Sequence, residues 1–383
     1  MRVYLDNAAT TQMSREVIEE MLPFMEQSYG NPSSIHSHGR EVKVVLERCR
    51  KKIASLLNVT PGEIFFTSGG TESDNTALRC FVEHYGLKHA ITSSLEHHAV
   101  LHTLENLKQK GLIELSYVSH DSKGNVDLKH LDELLGKNSQ SLVSLMHGNN
   151  EIGTIINLKE MGEICKKHDA LCHSDTVQTM GYYDMDLASL PICSIVGSAH
   201  KFHGPKGVGF LYLKKGRKIL PYITGGAQER NMRGGTENVI GIVGMTKALE
   251  MSIENREKNK QHILGLKERM KSQLTEQIPG VQFNGTSGDL EESVYKVLSV
   301  SLPPNTANDM LLFNLDLKGI SASGGSACSS GADRGSHVLQ ALNGDFSRKS
   351  VRFSFSKFNT EEEIDYTVEK LVELCKVDKV ATV

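Results

Sequence analysis

The sequence predicts an α/β protein in which a large domain carries a mostly parallel, doubly wound sheet and a smaller α+β domain follows it. Two observations carry this. Between about residues 60 and 215, short β-branched runs alternate with helical stretches, the rhythm of strands joined by helices on both faces of a sheet. A charged, helix-favouring stretch from Glu237 to about Gln277 then ends in the turn-rich IPGVQFNG, beyond which the pattern changes.

In chain order, the strands of the large domain are read in EIFFTS, HAITSS, IELSYVS, SLVSLMHG, ALCHSD, CSIVGS and GVGFLYLKK. The helices between them are read in ESDNTALRCFVEHYG, AVLHTLENLKQKG and LKEMGEICKKHD. The smaller domain contributes strand-like YKVLSVSL, helix-like NDMLLFNLDLKG, the loop SASGGSACSSGADRG and a final amphipathic TEEEIDYTVEKLVELCK. The expected division is 15–260 for the large domain, with 1–14 and 261–383 forming the small one. The first two dozen residues are expected to pack with the small domain. Ligands of such sheets sit beyond the carboxyl ends of the strands, so polar residues there become candidates.

The chain has 383 residues, 39% hydrophobic and 23% charged, enough for a full core. A formal charge of -3 with interspersed signs leaves no electrostatic footprint for nucleic acid or an anionic membrane. No apolar run reaches the roughly 18 residues of a membrane span, and MRVYLDNAATT does not read as a signal peptide, so a cytoplasmic protein is expected. Seven cysteines without a CxxC pair are the pattern of reduced thiols. Six lie in apolar or helical contexts, where cysteine acts as a small hydrophobe. Cys328 instead lies in a Gly/Ser-rich stretch that cannot pack tightly, so a mobile loop and a swinging thiol are expected.

The segment TSGGTES (67–73) follows a strand and opens a helix. Its glycines let backbone N–H groups face an anion, with the Thr71 hydroxyl assisting; a purely steric turn is the other reading. It lacks the GK[ST] of a P-loop and is no GxGxxG fingerprint. Asp175, in HSDTVQ at a strand end, suits a helix cap or a ligand contact. Lys201, in GSAHKFHGPKG after another strand, is either a solvated lysine or a Schiff-base lysine with a lowered proton affinity. His97, in SLEHHAV, is either a satisfied structural histidine or a ring that stacks on a cofactor and handles protons; its neighbour His98 is a candidate of the same kind. A phosphate loop, a carboxylate for a pyridinium nitrogen and an amine for an aldehyde, in this order, are what a protein supplies to pyridoxal phosphate.

Together with LDNAATT, YGNPSSIHSHG, FFTSGGTESDN, EHHAV, MHGNNEIG, HSDTVQ, SAHKFHGPKG, ERNMRGGTEN, SGGSACSSG and VRFSFSKFNTEEEID, these segments resemble cysteine desulfurases of the NifS/IscS type. That type belongs to the aminotransferase class V family of fold-type I pyridoxal-phosphate enzymes. The resemblance implies that Lys201 binds the cofactor covalently, that Asp175 and Gln178 contact its pyridine nitrogen and phenolate oxygen, and that His97 stacks on its ring. Gly70, Thr71, Ser198 and His200 match the phosphate cradle. Thr236 matches a threonine reaching the phosphate of a neighbouring subunit, which implies a homodimer. Asn150 and Arg352 match the clamp for the substrate carboxylate, with Asn150 also at the cofactor.

The implied reaction converts L-cysteine to L-alanine. Lys201 removes the Cα proton, the Cys328 thiolate takes the sulfur as a persulfide, and His97 assists proton transfer. An acceptor protein, such as an iron–sulfur scaffold, then approaches the Cys328 loop; no metal ligand set is expected. GSACSS resembles the subclass with a long cysteine loop, and the RGHHC pattern of SufS-like proteins is lacking. The end LVELCKVDKVATV is read as being without the extension by which, on the resemblance, housekeeping IscS proteins engage their scaffold, so the acceptor is left open; Thr176 stands where alanine is usual. Two other readings stay open. One is another enzyme of this fold, a selenocysteine lyase or an aminotransferase; the other is a relay that only carries persulfide, which would need none of Lys201, Asp175 and His97.

Overall fold

A computed structural model describes residues 1–138, 140–304, 310–324, 335–342, 344–345 and 347–375. Twelve strands form three sheets among these residues. In chain order they are β1 (Val3–Tyr4), β2 (Ile64–Thr67), β3 (His89–Thr92), β4 (Glu114–Tyr117), β5 (Ser141–Ser144), β6 (Leu171–Asp175), β7 (Ser194–Ser198), β8 (Gly209–Leu213), β9 (Gln282–Phe283), β10 (Val297–Ser301), β11 (Ile320–Ser321) and β12 (Ser350–Ser354).

The seven strands read between residues 60 and 215 make one sheet, ordered β2-β8-β7-β6-β5-β3-β4. All pairings are parallel except those of β8, which runs antiparallel to both β2 and β7. Every residue of β2, β3, β5, β6, β7 and β8 is buried, because helices cover both faces, and those strands accordingly lack polar alternation. β4, at the sheet edge, is half exposed. Several helices start where a polar side chain satisfies the first N–H groups. Asp127 accepts from Lys129 N and His130 N ahead of Leu128–Lys137, and Asn157 accepts from Lys159 N and Glu160 N ahead of Leu158–Lys167.

Two findings correct the sequence reading. The stretch Glu237–Gln277 is two helices, Val239–Glu254 and Arg256–Gln277, parted at Asn255, whose ψ of 13° leaves the helical range. The first two dozen residues also divide. β1 pairs with β11, and Asp6 bridges Ser354 at the end of β12. The helix Arg15–Glu26 instead packs against Val239–Glu254. Between these two attachments, residues 7–11 run across the carboxyl ends of the large sheet, where the Thr11 hydroxyl donates to the His200 carbonyl at 2.8 Å. The antiparallel sheet β9-β10-β12 thereby lies next to those ends, and the helix Glu361–Cys375 packs on Arg256–Gln277.

The helix Arg256–Gln277 buries Lys267 completely, its Nζ donating to Ser293 Oγ at 2.6 Å and to the Asp289 carbonyl at 3.1 Å. Burial lowers its pKa to about 7. Between about pH 7 and the ordinary lysine value near 10, the unfolded chain therefore binds a proton that the folded chain does not, so folding stability rises with pH in that window. Lys267→Met is expected to be at least as stable as the wild type at pH 7 and to show a smaller rise up to pH 10, read from denaturant midpoints across the pH series. An unchanged slope would mean that Lys267 is charged in the fold.

Candidate active site

The carboxyl ends of β5, β6 and β7 open on one cavity of about 220 Å³. Its walls include Ala8, Ala9, Gly70, Thr71, His97, Asn150, Asp175, Gln178, Ser198, His200, Lys201 and Arg352. Parallel strand order brings the cluster together, since β6 and β7 are neighbours in register. Asp175 is the last residue of β6, and Ser198 ends β7 just before the tight turn Ala199–Lys201.

Lys201 Nζ donates to the carbonyls of Ala8 at 2.6 Å and Ala9 at 2.8 Å. Gln178 Nε2 donates to the same Ala8 carbonyl at 2.9 Å, while its Oε1 is buried without a partner. Asp175 Oδ1 accepts from Val177 N at 2.8 Å. His97 caps the helix His98–Gln109, its Nδ1 accepting from Ala99 N at 3.1 Å. The neutral ring therefore carries its proton on Nε2. Burial lowers the His97 pKa, with Asp175 opposing the shift and Lys201 adding to it. His200 faces Thr10 Oγ1 at 3.1 Å and is pushed down to about 4 by burial.

The Gly-rich turn fits closely into this wall. Gly69 has φ 151°, and a Cβ on Gly70 would stand 2.7 Å from Val177 Cγ2. Both positions therefore need glycine for conformation or space. Arg352, 2% exposed on β12, donates from Nη1 to the Asn150 carbonyl at 3.0 Å and from Nη2 to Asp6 Oδ1 at 2.8 Å.

Three groups near the cavity carry no signal in the motifs. Asp74, one helical turn beyond Gly70, lines the cavity and faces His173 Nε2 at 3.1 Å, and His173 Nδ1 meets Ser194 Oγ at 2.8 Å. Burial, then the charges of Asp175 and Glu96, raise the Asp74 pKa well above the carboxylate range, while burial drops His173 to about 3. Glu96 is likewise raised by burial; its Oε1 accepts from Met146 N at 2.7 Å. Lys296 is a second buried lysine, its Nζ 3.6 Å from the Tyr182 ring centroid, and burial lowers its pKa strongly. The four-residue spacing from Gly70 could have flagged Asp74, because it places both on one helix face; Glu96 and Lys296 offer no such sign.

Of the residues singled out in the sequence, Gly70, Thr71, His97, Asn150, Asp175, Gln178, Ser198, His200, Lys201 and Arg352 line this cavity. His98 points away to stack on His102, with ring centroids 4.5 Å apart, and lies 4.4 Å from His337. Thr236 is exposed and outside the lining. Its loop is anchored by Glu229, which receives both terminal nitrogens of Arg50 at 2.7 Å although Glu229, Arg230 and Asn231 all have positive φ. Cys328 lies outside the described residues. Among the described cysteines, Cys49, Cys80, Cys165, Cys172 and Cys193 are buried and Cys375 is partly exposed, all unpaired. Among the described residues no cluster of metal-ligating side chains occurs.

The chain matches the family aminotransferase class-V over residues 3–367. A cysteine desulfurase IscS of Dictyoglomus turgidum is 42% identical to it, with 100% of this chain and 96% of that protein aligned. A cysteine desulfurase IscS of Methanosarcina thermophila is also 42% identical, over 97% of this chain and 91% of that protein. A solved structure of a NifS-like protein superimposes with a TM-score of 0.89 at 41% identity, covering 97% of this chain and 99% of that one. Family match and full-length identity agree with the cavity at the sheet's carboxyl ends, and the chain belongs to the aminotransferase class-V family.

Proposed function

We propose that this protein is a pyridoxal-phosphate-dependent cysteine desulfurase, converting L-cysteine to L-alanine and passing the sulfur through Cys328 to an acceptor. The observation that carries the reading is the meeting, in one buried cavity, of an amine (Lys201), a carboxylate at the end of the adjacent strand (Asp175) and a guanidinium (Arg352). A relay protein requires none of the three. The names of the full-length relatives supply the sulfur chemistry.

The residues present fit the cofactor. Gln178 is buried with Oε1 lacking a protein partner, an incomplete polar contact at the cavity wall, and its amide Nε2 would be the donor to the ring's phenolate oxygen. The Gly69–Gly70 turn, at the start of the helix Gly70–Tyr85, offers backbone N–H groups and the helix dipole to a phosphate, with Thr71, Ser198 and His200 around it. With the cofactor bound, Asp175 would pair with the ring nitrogen, His97 would lie on the ring and Lys201 would take the aldehyde. When bound, the cofactor supplies an electron sink for the pair left on Cα.

The remaining work falls to side chains. Arg352 and Asn150 hold the substrate carboxylate, the guanidinium offering paired N–H donors. Lys201 Nζ, freed when substrate binds, takes the Cα proton and has the Ala8 and Ala9 carbonyls beside it to steady its protonated form. His97 can exchange a proton only through Nε2, because Nδ1 is committed to the helix cap. The Cys328 thiolate attacks the substrate sulfur, forming an S–S bond as the carbon–sulfur bond breaks, and the carbon skeleton leaves as alanine after protonation. Thr236 reaches the phosphate of a second copy in a homodimer; its exposure outside its own chain's cavity supports this role. The persulfide goes to an acceptor protein of iron–sulfur assembly or another thio-cofactor pathway. The setting is the cytoplasm, in keeping with unpaired cysteines and the lack, among the described residues, of any helix able to span a membrane.

Incubated with L-cysteine and a reductant, the wild type should release alanine and sulfide in equal amounts. Cys328→Ala should lose both while keeping the yellow colour of the bound cofactor; full activity in that variant would sink the persulfide assignment. Asp175→Asn should lower turnover by about 100-fold or more while cofactor is retained, measured by alanine release at saturating cysteine. Turnover within a few-fold of the wild type would remove Asp175 from the chemistry.

A further inference from the structure

Arg352 arrives at the cavity already engaged. Two of the five guanidinium N–H groups are used, one on Nη2 by Asp6 Oδ1 at 2.8 Å and one on Nη1 by the Asn150 carbonyl at 3.0 Å. Nε is buried without a partner. One N–H on each terminal nitrogen is left, the paired arrangement that suits a carboxylate. Asp6 is not part of the cavity lining, so its carboxylate holds the guanidinium from behind the wall.

Asp6 itself is fixed by backbone on both sides. It bridges Ser354, with Ser354 N donating to the Leu5 carbonyl at 2.7 Å and Asn7 N to the Ser354 carbonyl at 3.3 Å. Arg352 is tied in turn by reciprocal bonds with Ser323, Arg352 N donating at 2.6 Å and Ser323 N at 3.2 Å. The Tyr4 hydroxyl donates to the Asp6 carbonyl at 3.2 Å and to the Thr10 carbonyl at 2.9 Å, closing the turn. The ion pair thus joins two backbones that cannot drift apart, and the long arginine side chain loses its rotational freedom before any ligand arrives.

We propose that Asp6 is the positioning residue of the substrate-carboxylate subsite: with the Asn150 carbonyl it locks Arg352 so that the remaining N–H of each terminal nitrogen meets the carboxylate of the amino-acid substrate. The proposal rests on the reading of Arg352 as the carboxylate clamp. It assigns to the LDNAATT segment a part in substrate selection besides the carbonyls it offers to Lys201. Loss of the lock weakens binding of carboxylate-bearing ligands equally in ground and transition state, which raises KM and leaves kcat.

The test compares the full-length, cofactor-loaded wild type with Asp6→Ala, and with Asp6→Glu, which retains the charge pair but displaces the guanidinium by one methylene. With L-cysteine, each variant should show a KM raised about tenfold with kcat changed less than about threefold. Titrations followed by cofactor absorbance should show weaker binding of L-alanine but unchanged binding of ethylamine, the same molecule without its carboxylate. In cofactor-free protein, the Arg352 Nε–H resonance should broaden in Asp6→Ala. In the cofactor-loaded enzyme, Asp6→Asn, which keeps an oxygen acceptor, should reverse at least half of the KM increase seen in Asp6→Ala. Equal weakening of alanine and ethylamine, or an unaltered KM, would overturn the proposal. Failure of the desulfurase reading would appear separately, as a wild type that makes no alanine from cysteine, and the alanine–ethylamine comparison would still decide the role of Asp6.

Discussion

Burying an amine, a carboxylate and a guanidinium around one cavity is unfavourable unless each finds a partner in place, and the carboxyl ends of β5, β6 and β7 are arranged around that constraint. Asp175 is met by Val177 N close by, whereas partners of the two cations come from residues 6–9, a segment remote in sequence that continues to Thr11. Asp6 answers Arg352, the Ala8 and Ala9 carbonyls answer Lys201, and the Thr11 hydroxyl reaches the backbone of His200. Nearby, burial raises the pKa values of Asp74 and Glu96, which works against stacking further negative charge beside Asp175. The site is thus a charge arrangement held by the meeting of a large parallel sheet, a small antiparallel sheet and the strip of chain between them.

The sequence announced the parts of this arrangement that depend on local order. Lys201 and Asp175 were readable because each follows an apolar run that could only be a buried strand, and strand ends in parallel sheets face one side. The Gly69–Gly70 turn was readable because glycine marks both a positive φ and a close approach. The resemblance then joined residues that spacing alone could not, Arg352 to Asn150 above all.

What stayed hidden depends on long-range contact or on groups without a chemical flag. Ala8 and Ala9 act through backbone carbonyls, which every residue has. Asp6 gains meaning only when β12 is placed beside it, and Lys296 looks like any strand lysine until its Nζ is found above the Tyr182 ring. The break at Asn255 was invisible because charged, helix-favouring residues flank it on both sides. The packing of the helix Arg15–Glu26 on Val239–Glu254 was not legible either, because nothing in the local sequence says which surface covers its apolar face.

The buried cysteines bear on the stoichiometry of sulfur. Cys49, Cys80 and Cys172 are held as thiols by burial or by neighbouring sulfur, with Cys80 and Cys172 pushed up to about 12 and partly exposed Cys375 to about 11. Cys193 is raised further, through its contact with Cys172. A thiolate is the form that accepts sulfane sulfur, so the raised pKa values disfavour all five as acceptors. Loading sulfur onto any of these five would first have to overcome the cost of forming a thiolate in an apolar surrounding.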